Sequence, residues 1–157
     1  MTRLNEAHQY GFTLLEMVCV IALIALMATV SLPFLPQHTS RARLQAYAVE
    51  TAALLKGDRN AAIGRHAAVA ALVDSSSRTI RSGSTAQLLR IPDDVRFDAL
   101  LPQTCHHRAA LSTISFFADG MSCGGTIALA RLNTVYEIRV NWLTGRIEIA
   151  DRSTSRN

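Results

Sequence analysis

Residues 11–35 have the sequence GFTLLEMVCVIALIALMATVSLPFL, the longest apolar run of the chain. Between Phe12 and Leu35 the single charged residue is Glu16. A helix rises 1.5 Å per residue, so about 20 residues cross a bilayer core of about 30 Å. The 24 residues from Phe12 to Leu35 are sufficient for one crossing. The sequence therefore predicts a transmembrane helix over residues 12–35.

The short polar stretch before this run predicts an unusual kind of processing. Ordinary secretory signals are cut after their apolar core, at a site of small residues. Here the suitable break lies before the core, at Gly11. Cleavage there would remove residues 1–11 as a leader and leave the apolar helix on the mature protein. The composition beyond it, with charges recurring from Arg41 onward, indicates one anchor followed by one head domain.

Glu16 is the anomaly of the apolar run. A carboxylate in a membrane segment costs roughly 3 kcal/mol, and such a residue is a functional hypothesis that needs a partner. Cleavage after Gly11 would give Phe12 a free amine four residues before Glu16. The amine of a neighbouring subunit is then the obvious cation, and pairing would favour lateral assembly. The alternative is that Glu16 lies one turn from the interface and reaches water.

The GFTLLE stretch at residues 11–16, followed by an apolar helix, resembles the processing motif of type IV prepilins. The resemblance implies that a prepilin peptidase cuts between Gly11 and Phe12. It implies that the same enzyme methylates the new amine of Phe12. It also implies that Glu16 contacts such an amine during filament assembly.

Beyond Pro36 the chain is amphipathic. Apolar residues recur at helical spacing between Leu44 and Ile63, and charged residues occupy the other face. The pattern predicts that residues 36–64 continue the first helix, giving one long helix from Phe12 to Asn60 or Gly64. Glycine is a common signal just past a helix end.

Residues 65–157 are predicted to form a β-rich head. Turn residues separate short β-prone segments throughout this region. Apolar and polar residues alternate from Tyr136 to Trp142, which is typical of a half-buried strand. Residues 98–110 are predicted to form a loop. The candidate strands are Ala67–Val73, Arg78–Ile80, Gln87–Arg90, Val95–Phe97, Ser112–Phe117, Gly125–Arg131, Val135–Leu143 and Arg146–Ala150.

Two pieces of the head, FFADGMSCGG at residues 116–125 and VNWLTGR at 140–146, resemble pseudopilin H of type II secretion systems and the related minor pilin FimT. The resemblance implies an α+β fold of the type IV pilin kind, in which a long N-terminal helix precedes an antiparallel two-sheet β-domain. It implies a single-pass protein of the bacterial inner membrane with its head in the periplasm.

The same resemblance implies a role and partners. The chain is expected at or near the tip of the pseudopilus, supporting export of folded proteins across the outer membrane. Its expected partners are the prepilin peptidase, the other minor pseudopilins, the major pseudopilin and the inner-membrane secretion platform. Nucleic acid is not expected. The alternative is a FimT-like minor pilin acting in pilus assembly or DNA uptake, whose phosphate contacts would be Arg146, Arg152 and Arg156.

No pattern in the sequence predicts catalysis, a cofactor or a metal. Residues 120–124 match G-x-S-x-G, but a β-like run follows where a nucleophile elbow needs a helix. Zinc bound by Cys105, His106, His107 and Cys123 would lack the usual C-x-x-C spacing, and the adjacent histidines would point to different sides of an extended chain. If the head is exported to an oxidising compartment, Cys105 and Cys123 could form a disulfide. The sequence does not show whether their Cα atoms come close enough.

Overall fold

The computed structural model describes residues 13–31, 38–106, 108–110 and 112–153. The chain divides into two compact units, residues 1–37 and residues 38–157. The predicted leader 1–11 and Phe12 lie outside the described residues, as do Arg156, His107 and the segment 32–37.

The first unit contains helix α1, Leu14–Ser31. Between Leu14 and Met27, where its side chains are described, apolar residues face all directions and form no polar stripe of the kind that marks a surface helix. Of the predicted span 12–35, the structure describes residues 13–31, and these are helical from Leu14 to Ser31. Within the described residues, no helix is both long and apolar enough to cross a membrane.

The second unit begins with helix α2, Arg41–Arg65. Ser40 has an extended backbone and its Oγ accepts a hydrogen bond from the Arg43 N–H at 3.2 Å, which caps the helix start. The prediction of one uninterrupted helix from Phe12 to Gly64 is therefore wrong at residues 38–40. The helix ends at Arg65, one residue beyond the predicted end at Gly64, and His66 caps it in the left-handed region with φ of 50°.

Two antiparallel sheets follow α2. The first has the strand order β3-β2-β1-β7 and the second has the order β10-β9-β8-β4, with a small hairpin β5-β6 beside them. The strands are β1 Val69–Asp74, β2 Thr79–Arg81, β3 Leu88–Arg90, β4 Arg96–Leu100, β5 Thr104–Cys105, β6 Arg108–Ala109, β7 Thr113–Phe116, β8 Gly125–Arg131, β9 Thr134–Val140 and β10 Ile147–Asp151.

The core lies between α2 and the inner faces of both sheets. Helix α2 contributes a buried stripe at helical spacing, and alternate residues of β1, β7, β8 and β9 face it. The alternation explains why a period of two was visible in the sequence. The largest fully buried side chains are Phe116, Leu44, Leu55, Ile80, Ile91, Ile114, Ile127, Leu129 and Ile138.

All eight predicted strands have a counterpart whose ends lie within three residues of the prediction, but two predictions about the head are wrong. The segment 98–110 is not a simple loop, because β4 extends to Leu100 and β5 and β6 form a hairpin. Strand β9 ends at Val140, so Trp142 is not part of a half-buried strand. Trp142 instead lies in a turn and is 62% exposed.

Candidate functional site

The start of α1 holds the candidate assembly residue. The backbone N–H of Glu16 donates to Thr13 Oγ1 at 3.2 Å, so Thr13 caps the helix, and Glu16 lies in the first turn. A carboxylate at this position interacts favourably with the helix dipole. Its side chain is exposed. Gly11 and Phe12 lie outside the described residues, so the pairing of Glu16 with an amine stays a prediction.

The surface of α1 is apolar and exposed. Large side chains on every side of the helix are accessible, with exposed fractions from 46% to 83%. A helix that is hydrophobic all round is buried in a membrane or against other protein. This surface therefore needs lipid or other helices around it. The exposed members are Leu14, Leu15, Met17, Val18, Val20, Ile21, Leu23, Ile24, Leu26 and Met27.

In the head, the two stretches that resemble pseudopilin H meet in space, and Arg59 of α2 joins them. Arg59 Nε donates to the Gly120 carbonyl oxygen at 3.1 Å. One of its terminal nitrogens donates to the Thr144 carbonyl oxygen, also at 3.1 Å. Both turns need glycine: Gly120 and Gly145 have φ of 83° and 61°. A Cβ at Gly145 would also collide with the Gly120 carbonyl oxygen.

The serine of the G-x-S-x-G match belongs to the same network. Ser122 is buried, and its hydroxyl donates to the Asn141 carbonyl oxygen at 3.0 Å. The Ser122 hydroxyl oxygen also accepts a hydrogen bond from the Gly124 N–H at 3.0 Å. The backbone N–H of Ser122 donates to the Trp142 carbonyl oxygen at 2.9 Å. Ser122 thus ties one turn to the other, and strand β8 follows it, where a nucleophile elbow would need a helix.

The candidate disulfide residues are close. Cys105 and Cys123 are joined in the structure, with their Cα atoms 5.7 Å apart, within the usual range for a disulfide. The bond fastens the β5-β6 hairpin to the segment before β8. The neighbouring His106 packs its ring against Phe117, with centroids 4.4 Å apart. Among the described residues, no cluster of three or more His, Cys, Asp or Glu side chains is arranged to hold a metal.

The arginines proposed for the alternative function are held by acids on the outer face of the second sheet. Arg146 Nε lies 2.9 Å from Glu148 Oε1. Arg152 Nε lies 3.1 Å from Glu137 Oε2, which Arg139 also contacts. The structure therefore brings Arg146 and Arg152 to one sheet but pairs each with a carboxylate. Arg156 lies outside the described residues.

Asp58 is a site residue that sequence reasoning missed. Its carboxylate is fully buried on α2 and accepts three hydrogen bonds, from Ser82 Oγ at 2.6 Å, the Gly83 N–H at 3.0 Å and the Ser84 N–H at 2.9 Å. A buried carboxylate is tolerated because its hydrogen bonds are made. This arrangement fixes the loop between β2 and β3 on the helix. In the sequence, Asp58 has the pattern of an exposed acid on an amphipathic helix, and nothing there indicates that its carboxylate is buried.

Asp94 holds the start of the head in place. It accepts from the Thr39 N–H at 2.7 Å and the Thr39 hydroxyl at 2.8 Å, and it pairs with Arg131 at 3.0 Å. The hydrogen bonds from Thr39, followed by the charge of Arg131, keep the pKa of the Asp94 carboxyl below its ordinary value. This contact connects the entry of α2 to β8.

The chain is similar to known proteins in three ways. The family described as "Prokaryotic N-terminal methylation motif" matches residues 7–32. Type II secretion system protein H of Xanthomonas campestris pv. campestris is 33% identical over 138 residues, 87% of this chain and 80% of that protein. The chain belongs to the type II secretion system protein H family. The predicted family is thus confirmed, and the motif match and the relative both favour a membrane-anchored protein.

Solved structures agree with the predicted fold class. The minor pseudopilin EpsH of Vibrio cholerae superimposes with a TM-score of 0.54 at 9% identity, over 68% of this chain and 95% of that one. The type IV minor pilin FimU of Pseudomonas aeruginosa gives a TM-score of 0.50 at 21% identity, over 71% and 91% of the two chains. At these identities the likeness concerns the fold alone, and it confirms the pilin-like α+β architecture for a member of the protein H family.

Proposed function

We propose that this chain is a minor pseudopilin, a processed subunit of the short filament that drives type II secretion. The observation that carries the proposal is the 33% identity to protein H of such a system over most of both chains. The N-terminal methylation motif at residues 7–32 supports it, because methylation of the new N-terminus is what the resemblance of residues 11–16 to the prepilin processing motif implies.

Processing would occur at the start of α1. A prepilin peptidase would cut between Gly11 and Phe12 and methylate the Phe12 amine. The mature chain would then begin one turn before Glu16. The cap formed by Thr13 fixes that first turn, so the amine and the carboxylate would stand at defined places on the same helix end.

Assembly would use the exposed apolar surface of α1. In the bilayer, lipid tails contact these apolar side chains as favourably as another helix would. The hydrophobic effect therefore does not drive the helices of neighbouring subunits together. A carboxylate without a partner costs free energy there, and pairing with the Phe12 amine of a neighbouring subunit would remove that cost. Glu16 would therefore supply the specific attraction, and the close-packed helices would supply the remaining contacts.

The subunit would cross the inner membrane once, with its head in the periplasm. An oxidising compartment of this kind is where a disulfide such as Cys105–Cys123 persists. The head would meet the other minor pseudopilins and the major pseudopilin at or near the filament tip, above the inner-membrane platform. The role would be mechanical, with no reaction catalysed by this chain.

The FimT-like alternative is less well supported by the geometry. Its candidate phosphate contacts Arg146 and Arg152 are each paired with a carboxylate. Binding of DNA would have to displace those acids, although exposed ion pairs are weak, at about 0–1 kcal/mol. A gel shift of the purified protein that weakens with salt would support the alternative.

The proposal is tested by Glu16→Val, with Glu50→Gln on the exposed face of α2 as the control for loss of one carboxylate. We expect Glu16→Val to be cleaved normally but to be depleted from cross-linked filament complexes, with secretion reduced at least about tenfold. Glu50→Gln should behave as wild type. Normal secretion and normal incorporation of Glu16→Val would contradict the assembly mechanism.

A further inference from the structure

Trp142 is an exposed aromatic residue on a rigid turn. The residue lies between β9 and β10 and is 62% exposed, and the adjoining Leu143 is 54% exposed. The turn is fixed by the Asn141 side-chain carbonyl, which accepts from the N–H groups of Leu143 and Thr144 at 2.9 and 3.0 Å. Arg59 holds its far side. A large side chain on a fixed backbone loses little conformational freedom on binding.

Two hollows lie beside this turn and share the ion pair between Arg146 and Glu148. The first, between α2 and β10, is lined by Lys56, Arg59, Asn60, Gly145, Arg146 and Glu148. The second, on the outer face of β9, is lined by Trp142, Arg139, Thr126, Arg146 and Glu148. Four cations and one carboxylate line the two hollows together, so the surface attracts negative charge.

Most of these cations already have partners. Arg139 and Arg146 pair with Glu137 and Glu148, and Arg59 donates to two carbonyl groups. Lys56, the single lysine of the chain, makes no hydrogen bond or ion pair with any residue that the structure describes. The surface thus offers one exposed ammonium that pairs with no described residue and one exposed indole, with an excess of positive charge around them.

We propose that the surface formed by Trp142, Leu143 and the two hollows is the docking site for the head of a neighbouring filament subunit, through a segment that carries an apolar residue and a carboxylate. The apolar residue would pack on Trp142, and the carboxylate would bind Lys56. Trp is strongly enriched among residues that dominate interface affinity. A nucleic acid fits less well, because Arg139 and Arg146 are already paired with Glu137 and Glu148, and a run of phosphates needs several free cations.

This inference rests on the proposed filament function. Its test gives one result if the docking surface is wrong and a different result if the filament function is wrong. A photo-reactive phenylalanine analogue is placed at Trp142 in the full-length protein, in its own host. Irradiation of assembled complexes is followed by mass spectrometry of the cross-linked peptide. We expect the peptide to come from the head of another subunit of the same secretion apparatus and to contain Asp or Glu.

Substitutions then measure the contribution of the surface. Trp142→Ala and Lys56→Glu should each lower recovery of the cross-linked or co-purified partner, by about 30-fold for Trp142→Ala if it behaves as a dominant interface residue. Matched controls are Leu132→Ala, which removes an 87% exposed leucine from another turn, and Arg43→Glu, which reverses an exposed charge at the start of α2. Both controls should keep the partner, and a complementary Asp→Lys or Glu→Lys change in the identified peptide should restore binding to Lys56→Glu.

These experiments distinguish a correct docking surface from a wrong one, and a wrong docking surface from a wrong filament function. Loss of partner in the two site variants, with cleavage and membrane insertion intact, supports the docking surface. Wild-type partner recovery and secretion in Trp142→Ala and Lys56→Glu overturns it, and so does a cross-link to nucleic acid. If deletion of the whole gene leaves secretion unchanged, the proposed filament function itself fails.

Discussion

Arg59 donates from its Nε to the carbonyl oxygen of Gly120 at 3.1 Å, and this bond attaches the long helix of the head to one of its two glycine turns. The second turn is held by the same guanidinium through Thr144. One side chain therefore fixes the relative positions of the two stretches that resemble pseudopilin H. A planar group with several donors in fixed directions suits this task better than a single ammonium.

Arg59→Ala should destabilise the head by about 1–3 kcal/mol, because hydrogen bonds that involve a charged group contribute in that range. Arg59→Lys should recover only part of the loss. Urea denaturation of the purified protein measures both, and Arg43→Ala is the matched control, expected to stay within about 0.5 kcal/mol of wild type. Equal stability of Arg59→Ala and Arg43→Ala would show that the two turns do not depend on Arg59.

Two glycines in the head should respond in opposite ways to alanine. A Cβ at Gly83 would collide with the backbone carbonyl of Ala70, whereas a Cβ at Gly57 in α2 would meet open space. Gly83→Ala should therefore lower the free energy of unfolding by more than about 2 kcal/mol. Gly57→Ala should raise it by about 0.5–1 kcal/mol, the helix-propensity gain. A stabilising effect of Gly83→Ala would mean that the loop next to Asp58 is placed differently.

Asp94 should make the stability of the head depend on pH. Its carboxyl pKa is lowered in the folded state, so its contribution is complete above the unfolded-state pKa near 3.9 and is lost as the pH falls through the folded-state value. We expect the difference in urea midpoint between wild type and Asp94→Asn to be greatest near neutral pH and to shrink below about pH 4.

The control for this measurement is Asp93→Asn, because the Asp93 side chain is fully exposed and its long ion pair with Arg78, at 3.7 Å, is of the exposed kind that contributes about 0–1 kcal/mol. Its urea midpoint should follow that of wild type at every pH. A difference between wild type and Asp94→Asn that persists unchanged to pH 2.5 would contradict the assignment of the effect to the Asp94 carboxylate.

The Cys105–Cys123 bond should stabilise the head through its closed loop. The cysteines are 18 residues apart in sequence, for which chain entropy gives about 3 kcal/mol. The Cys105→Ser, Cys123→Ser double variant should lose stability by about that amount, and reductant should have no further effect on it. Mass spectrometry of alkylated protein purified from cells would contradict the prediction if both thiols were found free.

The sequence predicted the strands well for a physical reason. Strands β8 and β9 bury alternate residues, and this period of two is written directly in their apolar pattern. The turn residues at Asp119-Gly120 and Thr144-Gly145 were equally clear, because positive φ favours glycine.

The errors arose where local patterns conflict with tertiary contacts. Ser40 begins a new helix through its cap, but the apolar pattern on both sides suggested continuity. Trp142 continues the alternation of β9, yet its carbonyl accepts from Ser122 and the chain turns away. Arg59 and Asp58 resemble solvated residues of an amphipathic helix, and their partners are 24 to 85 residues distant in the chain.

Cleavage after Gly11, with the helix that follows kept in the membrane, is the step on which the proposed function depends. Intact-mass analysis and N-terminal peptide sequencing of the protein extracted from host membranes test it directly. We expect a mature chain that begins with N-methylated Phe12 and that is absent from cells lacking the prepilin peptidase. A membrane-extracted chain that still carries residues 1–11 in peptidase-competent cells, or a chain cut after the apolar run, would contradict it.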